Sequence, residues 1–216
     1  MERMNTDRGR AMDRLWLCFL LTALHGLHLA GVHAAGPKKN IKKENPIDKI
    51  PIQKNFNLDQ LTGKWFLIGV ASKCEYLKEN NLRVEGTSVV LSRSSTQKIA
   101  LDVSTLRKLD LQCWDIRQEY RSTKTNGRLL LKGRGSGNDV DIVVGETDYQ
   151  SYAILYYEHR HKITVKLYGR SSDIPDNIIE KFEEAVLKQN IGEDFIYYFP
   201  KYGFCESADE FHILRA

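Results

Sequence analysis

The sequence predicts an all-β domain with one helix: an eight-stranded antiparallel up-and-down barrel, then a C-terminal α-helix and a short extra strand. Three observations carry this. Short apolar or alternating segments recur between Trp65 and Tyr168, separated by turn residues. The first strongly amphipathic stretch comes only after them, from Pro175 onward. Eight short strands joined mainly by tight turns leave no sheet edge open when they close into a barrel.

Trp65-Phe66-Leu67-Ile68-Gly69-Val70, after Gly63, is the first strand, and Thr87-Ser88-Val89-Val90-Leu91 the second, favoured by its β-branched residues. Ile99, Leu101 and Val103 alternate with Ala100, Asp102 and Ser104 in the third. Trp114, Ile116, Gln118 and Tyr120 share one face of the fourth. Asn126-Gly127 reads as a primed hairpin turn, since both residues tolerate positive φ, and leads into Leu129-Leu130-Leu131. Val140, Ile142 and Val144 begin the sixth strand, and the run from Tyr152 to Tyr157 is the seventh. In the eighth, Ile163, Val165 and Leu167 alternate with Thr164, Lys166 and Tyr168. Pro175-Asp176 opens the helix, with Asp173 or Ser172 as cap, and Ile178, Ile179, Phe182, Val186 and Leu187 form its apolar stripe. The segment from Phe195 to Phe199 is the extra strand, stopped by Pro200.

Three parts are expected: a signal peptide over 1–34, a basic extended tail over 35–54 and one barrel domain over 55–216. Arg3, Arg8, Arg10 and Arg14 precede an uncharged apolar core from Leu15 to Leu24, too short for a span of ~20 residues. Val32-His33-Ala34 then offers a cleavage site. Lys38, Lys39, Lys42, Lys43, Lys49 and Lys54, among Pro37, Pro46 and Pro51, describe a solvated tail. The net charge of +4 falls to +3 without the leader, which holds four Arg and three acidic residues. That balance does not point to nucleic acid.

Losing the leader removes Cys18 and leaves Cys74, Cys113 and Cys205. Three cysteines in an oxidising compartment form one internal bridge and leave one thiol over, which stays reactive, carries a cap or bonds a second chain. Cys74 lies in a polar stretch with Ser72, Lys73, Glu75, Lys78, Glu79 and Asn80. His159 and His161 have ligand-like spacing, but they flank Arg160 in a hairpin turn without a third ligand nearby, so a solvated turn is the simpler reading. No glycine-rich phosphate loop is present, and neither catalysis nor a cofactor is expected.

Gly63-Lys64-Trp65, Thr147-Asp148-Tyr149 and Leu167-Tyr168-Gly169-Arg170, in this order, resemble the three signature segments of the kernel lipocalins. The resemblance implies a cup, the lipocalin calyx, whose closed floor is built by Gly63, Trp65, Thr147, Asp148, Tyr149 and Arg170, with Arg170 crossing the face of Trp65. These residues would be structural. One enzymatic branch of the family carries a nucleophilic cysteine on the second strand; Thr87-Ser88-Val89 has none here.

Longer blocks, from Glu146 to Ala153, from Tyr198 to Glu206, from Ala208 to Leu214, and Leu106-Arg107-Lys108-Leu109-Asp110, resemble a narrower branch whose members are subunits of a complement component. From about residue 50 to the end, that resemblance implies a secreted plasma protein. Cys74 would be disulfide-linked to a larger alpha chain, Cys113 would pair with Cys205, and a beta chain and the other membrane attack complex proteins would be met indirectly. A small hydrophobic ligand in the calyx is compatible with it, and direct membrane insertion is not expected. The alternative is a free carrier or scavenger of small hydrophobic molecules.

Overall fold

The computed structural model describes residues 44–80, 84–96, 98–109 and 111–215. The expected leader over 1–34 and the first part of the expected tail lie outside the described residues. The predicted barrel is observed, as β1 Gly63–Ala71, β2 Thr87–Arg93, β3 Ile99–Leu109, β4 Gln112–Ser122, β5 Arg128–Leu131, β6 Val140–Thr147, β7 Tyr152–His159 and β8 Lys162–Gly169. Each strand is antiparallel to the next, and β1 closes the barrel against β8 from Phe66↔Gly169 to Ala71↔Val165.

Two short strands fill the places where neighbours are unequal in length. β1 pairs with β2 only as far as Phe66, so β9, Ile196–Tyr198, takes up the free edge at Gly69, Val70 and Ala71. β5 meets β4 only at Tyr120, Arg121 and Ser122. Beyond that contact β10, Ile213–Arg215, lies parallel to Asp115, Ile116 and Arg117. Sequence periodicity does not reveal β10, because three residues are too few to show a period.

The wall has two apolar faces. One faces the barrel interior and includes Trp65, Leu67, Val89, Leu101, Val103, Leu155 and Tyr168. The other, with Ile68, Val143, Ile154, Tyr156, Val165 and Leu167, packs beneath α3, Asp176–Leu187, through Ile178, Phe182, Ala185 and Val186. That double burial explains the near-continuous apolar run of β7. It also assigns the two faces of β8: the aliphatic face turns to the helix, while the Lys166 and Tyr168 side belongs to the cup.

Four expectations need correction. Residues 46–54 are not a solvated tail, because Pro46–Lys49 is a 3-10 helix with Ile47 at 1% and Ile50 at 5% exposure. The Gln53 N–H donates to the Val144 carbonyl at 2.9 Å. Three isoleucines among the lysines turn this strap onto the outer wall. Secondly, α3 has no side-chain cap; Pro175 is its N-cap and accepts from Ile178 N at 3.0 Å, while Asp173 is paired with Lys201. In the β4–β5 turn only Gly127 takes positive φ, 87°, and Asn126 instead donates its side-chain amide to the Phe56 carbonyl at 2.7 Å. Lastly, two short helices were not anticipated: α1, Leu58–Leu61, capped by Asn57, and α2, Glu75–Asn80.

Phe182 is fully buried between α3 and the wall. Phe182→Ala should cost ~3–5 kcal/mol, read as a lowered thermal midpoint; an unchanged midpoint would show that the helix does not depend on this contact.

Candidate functional site

The closed end of the barrel is a set of interlocking bonds. The Arg170 guanidinium lies 3.7 Å from the centroid of the Trp65 ring. Its Nε donates to the Tyr149 carbonyl at 3.0 Å, Nη1 to Lys64 at 3.0 Å, and Nη2 to Gln60 at 2.9 Å and Thr62 at 2.8 Å. One planar cation thus ties the entry to β1 to the β6–β7 turn, a task that a lysine point charge would not perform. Trp65 Nε1 donates to the Leu61 carbonyl at 2.8 Å, so the buried indole leaves no polar atom unsatisfied. Gly63 has φ of 102°, and a Cβ there would stand 2.9 Å from Arg170 Nη1.

Thr147 and Asp148 organise the turn itself. Thr147 Oγ1 donates to the Tyr152 carbonyl at 2.6 Å and accepts from Tyr149 N at 2.9 Å. Asp148 Oδ1 accepts from the backbone N–H groups of Gln150, Ser151 and Tyr152 at 3.1, 2.8 and 3.0 Å. Burial would raise its pKa, but hydrogen bonds from the Ser151 side chain and these backbone groups outweigh that and lower it. Tyr149 takes φ of 65° and accepts from Asn57 N at 2.9 Å. Glu146 is occupied elsewhere, by Tyr152 and by Lys181 at 2.9 Å. Tyr152 serves both acids, its backbone N–H bonding Asp148 and its hydroxyl Glu146.

Above this floor lies a narrow, partly open pocket, walled by Leu61, Trp65, Val89, Leu91, Ala153, Leu155 and three tyrosines, Tyr120, Tyr157 and Tyr168. The tyrosine hydroxyls form a chain, 3.5 Å from Tyr120 to Tyr157 and 3.3 Å from Tyr157 to Tyr168. Burial raises the pKa of all three, so they are neutral phenols. Lys166 Nζ lies 4.3 Å from the Tyr157 ring centroid. This polar and aromatic side of the cup was not anticipated. Its signal was the inward alternation of Thr164, Lys166 and Tyr168, visible once the aliphatic face of β8 is assigned to the helix.

At the opposite end, Cys74 sits partly buried in the β1–β2 connection, where its carbonyl accepts from Lys78 N at 3.2 Å. In this single chain it is disulfide-bonded to a cysteine outside the described residues, so the expected bond to a second chain is not tested. Ser72 pins the same rim, its N–H on the Phe195 carbonyl at 3.0 Å and its hydroxyl 3.1 Å from that of Thr164. Cys113, at the start of β4, is bonded to Cys205, with Cα atoms 5.7 Å apart and a sequence separation of 92. Constraining so long a loop is worth roughly 4–5 kcal/mol in the chain-entropy model. The Cys205 segment passes tightly over the start of β2, where a Cβ at Gly86 would meet the Tyr202 carbonyl oxygen at 2.6 Å. His159 and His161 flank the β7–β8 turn, and burial lowers the pKa of His159, reinforced by Arg160. Among the described residues no group of three or more His, Cys, Asp or Glu side chains could hold a metal.

The model of the lipocalin / cytosolic fatty-acid binding protein family matches residues 62–203. The chain belongs to this family. It is 43% identical over 168 residues to the complement component C8 gamma chain of Oryctolagus cuniculus, covering 78% of this chain and 82% of the relative. It is 33% identical over 168 residues to protein AMBP of Bos taurus, covering 76% of this chain but spanning only 47% of that longer protein. A solved structure described as the siderocalin Ex-FABP, functioning through dual ligand specificities, superposes with a TM-score of 0.57 at 18% identity. It covers 67% of this chain and 96% of that one, and the likeness is one of fold.

Trp65 is 1% exposed and faces Arg170. Trp65→Ala should therefore destabilise the domain by ~3–5 kcal/mol, seen as a lowered thermal midpoint. A variant that melts like the parent would remove this floor from its central place.

Proposed function

We propose that this lipocalin is a secreted plasma subunit of the eighth complement component, of the gamma-chain type. In this reading Cys74 carries the disulfide to the alpha chain, and the subunit enters the membrane attack complex through that partner. The observation that carries it is the 43% identity to a C8 gamma chain over 78% of this chain and 82% of the relative. A free extracellular carrier or scavenger resembling alpha-one-microglobulin is the weaker reading: protein AMBP is 33% identical and spanned over only 47% of its length.

The rim supports a docking role. Cys74 stands at the cup's open end, and a bond there leaves floor and walls undisturbed. Leu111, at the β3–β4 turn of the same rim, is 85% exposed with φ of 66°, and Tyr202 is 78% exposed. Large apolar side chains held outward near the Cys113–Cys205 bridge suit contact with another chain. The remaining roles are passive. The calyx holds a small hydrophobic ligand, no catalytic step is assigned, and the beta chain and other complex members are reached through the alpha chain. No helix among the described residues is long and apolar enough to cross a membrane, and contact with lipid is assigned to the partners.

Cys74→Ser, co-expressed with alpha and beta chains, should co-purify under native conditions and separate under denaturing, non-reducing ones. The disulfide mainly supplies effective concentration to contacts that already exist, so lysis should be diminished at most. A disulfide map of the purified complex that pairs Cys74 within its own chain would overturn the covalent link. Loss of all lysis from an assembled Cys74→Ser complex would overturn the passive role.

A further inference from the structure

The connection between β5 and β6, residues 132–139, is built unlike the two-residue β7–β8 turn beside it. It carries glycine at 133, 135 and 137, and the last two take φ of 84° and 77°. Residues 134 to 137 are exposed. A Cβ at Gly137 would meet nothing within 4 Å, and one at Gly135 would meet the Asn138 amide nitrogen at 3.6 Å. The tip therefore stands clear of the barrel. Its base is pinched, since a Cβ at Gly133 would stand 2.0 Å from the Asn138 carbonyl oxygen. Surface bonds close that base. Lys132 pairs with Asp139 at 2.5 Å, the Gly133 N–H donates to Asp139 at 3.2 Å, and Asn138 Nδ2 donates to the Arg134 carbonyl at 2.6 Å. Bonds so exposed stabilise little, so the loop belongs to the segments that open locally while the barrel stays folded.

Arg134 stands at this tip, followed by Gly135, Ser136 and Gly137. Every other arginine among the described residues lies in a strand, in the β7–β8 turn or on the floor. Trypsin-like serine proteases select a basic side chain in the S1 pocket, and exposed loop tips with small residues are where folded proteins are nicked. We propose that the Arg134–Gly135 bond is a cleavage site for a trypsin-like, arginine-selective serine protease, which converts the chain to a two-chain form. Hydrolysis breaks the C–N bond; water supplies a hydroxyl to the Arg134 carbonyl carbon and a proton to the Gly135 nitrogen. Cys113 precedes the cut and Cys205 follows it, so their bridge keeps the two pieces covalently joined. The cut also acts at the rim. Arg134 Nη2 donates to the Arg215 carbonyl at 3.1 Å, and Asn138 Oδ1 accepts from Arg160 Nη2 at 2.8 Å. The intact loop thus ties the end of β10 to the β7–β8 turn, and cleavage severs that tie. The site is independent of what docks at Cys74.

The test treats the whole oxidised chain with a limiting amount of trypsin and maps the products by mass and N-terminal sequence. The first cut beyond residue 44 should fall after Arg134, with a mass gain of one water and a new N-terminus at Gly135. Under denaturing conditions the cut protein should run as one species without reductant and as two with it. Arg134→Lys should keep the trypsin cut and lose that of an endoprotease confined to arginine. Arg134→Gln should slow the two-chain form about tenfold or more with either enzyme, the thermal midpoint being retained. Asp139→Ala, which removes two bonds of the base, should raise the initial rate about twofold or more. Hydrogen exchange in the cut protein should quicken at β5 and β10 and stay slow around Trp65. A first cut after Lys54, Arg83 or Lys201, or an Arg134→Gln chain cut in two at the parent's rate, would overturn the site. An initial rate that Asp139→Ala leaves unchanged would overturn opening at the base. Pieces that part without reductant would overturn the covalent two-chain form, and unchanged exchange at β10 would overturn the tie.

Discussion

The stacking of Arg170 on Trp65 is the contact on which this barrel depends. A closed sheet has no edge to end on, so its floor must be sealed by side chains and by the connections that cross it. Here one guanidinium stacks on the deepest indole and satisfies the carbonyls of Gln60, Thr62, Lys64 and Tyr149. Cation–π attraction alone accounts for about 0.5–2 kcal/mol. The larger consequence is geometric. The entry to β1, the β6–β7 turn and the end of β8 cannot move independently once those four bonds are made, and the register of β1 on β8 follows from them.

That seal lets the walls be amphipathic in an unusual sense. Barrel strands commonly place apolar residues inward and polar residues outward. In β8 the aliphatic positions Val165 and Leu167 turn outward beneath Phe182 and Val186, and the cup receives Lys166 and Tyr168. The outer helix and the strap around Ile47 and Ile50 supply enough burial outside the barrel to hold this arrangement. The interior is thereby free to carry phenols and an amine, groups that a small barrel relying on its inside alone for a core could not accommodate without a stability cost.

How far the sequence could be read follows from the length of each signal. Strands of seven or more residues are long enough to show a period, an apolar run or a β-branched cluster, and β1 to β4 and β6 to β8 were legible for that reason. β10 and α1 are a few residues long and exist because of tertiary partners: the gap that β5 leaves beside β4, and Asn57 capping Asp59 and Gln60. Ile47, Ile50 and Ile52 lie among lysines and prolines that mark a tail by composition, although burial depends on where three isoleucines point. The floor residues were recognised through family resemblance; no periodicity connects Trp65 to Arg170. The inward tyrosines were visible as letters, but which face of each strand turned inward depended on where the helix would lie.

The two ends of the barrel differ in how firmly their side chains are bonded. At the floor, nearly every polar group has a defined partner and the central indole is buried, so substitutions there act through folding. At the rim the β1–β2 and β5–β6 connections are longer, and Leu111 and Tyr202 project outward. Cys113 and Cys205 belong with the stable part: their bond fixes the C-terminal segment against the wall and keeps it near the rim without making the floor responsible for it. A second chain bound at such a rim meets a surface already ordered by the Cys113–Cys205 bridge and the Ser72–Thr164 contact. Little additional ordering is then needed on this side of the interface, which lowers the entropic cost of association.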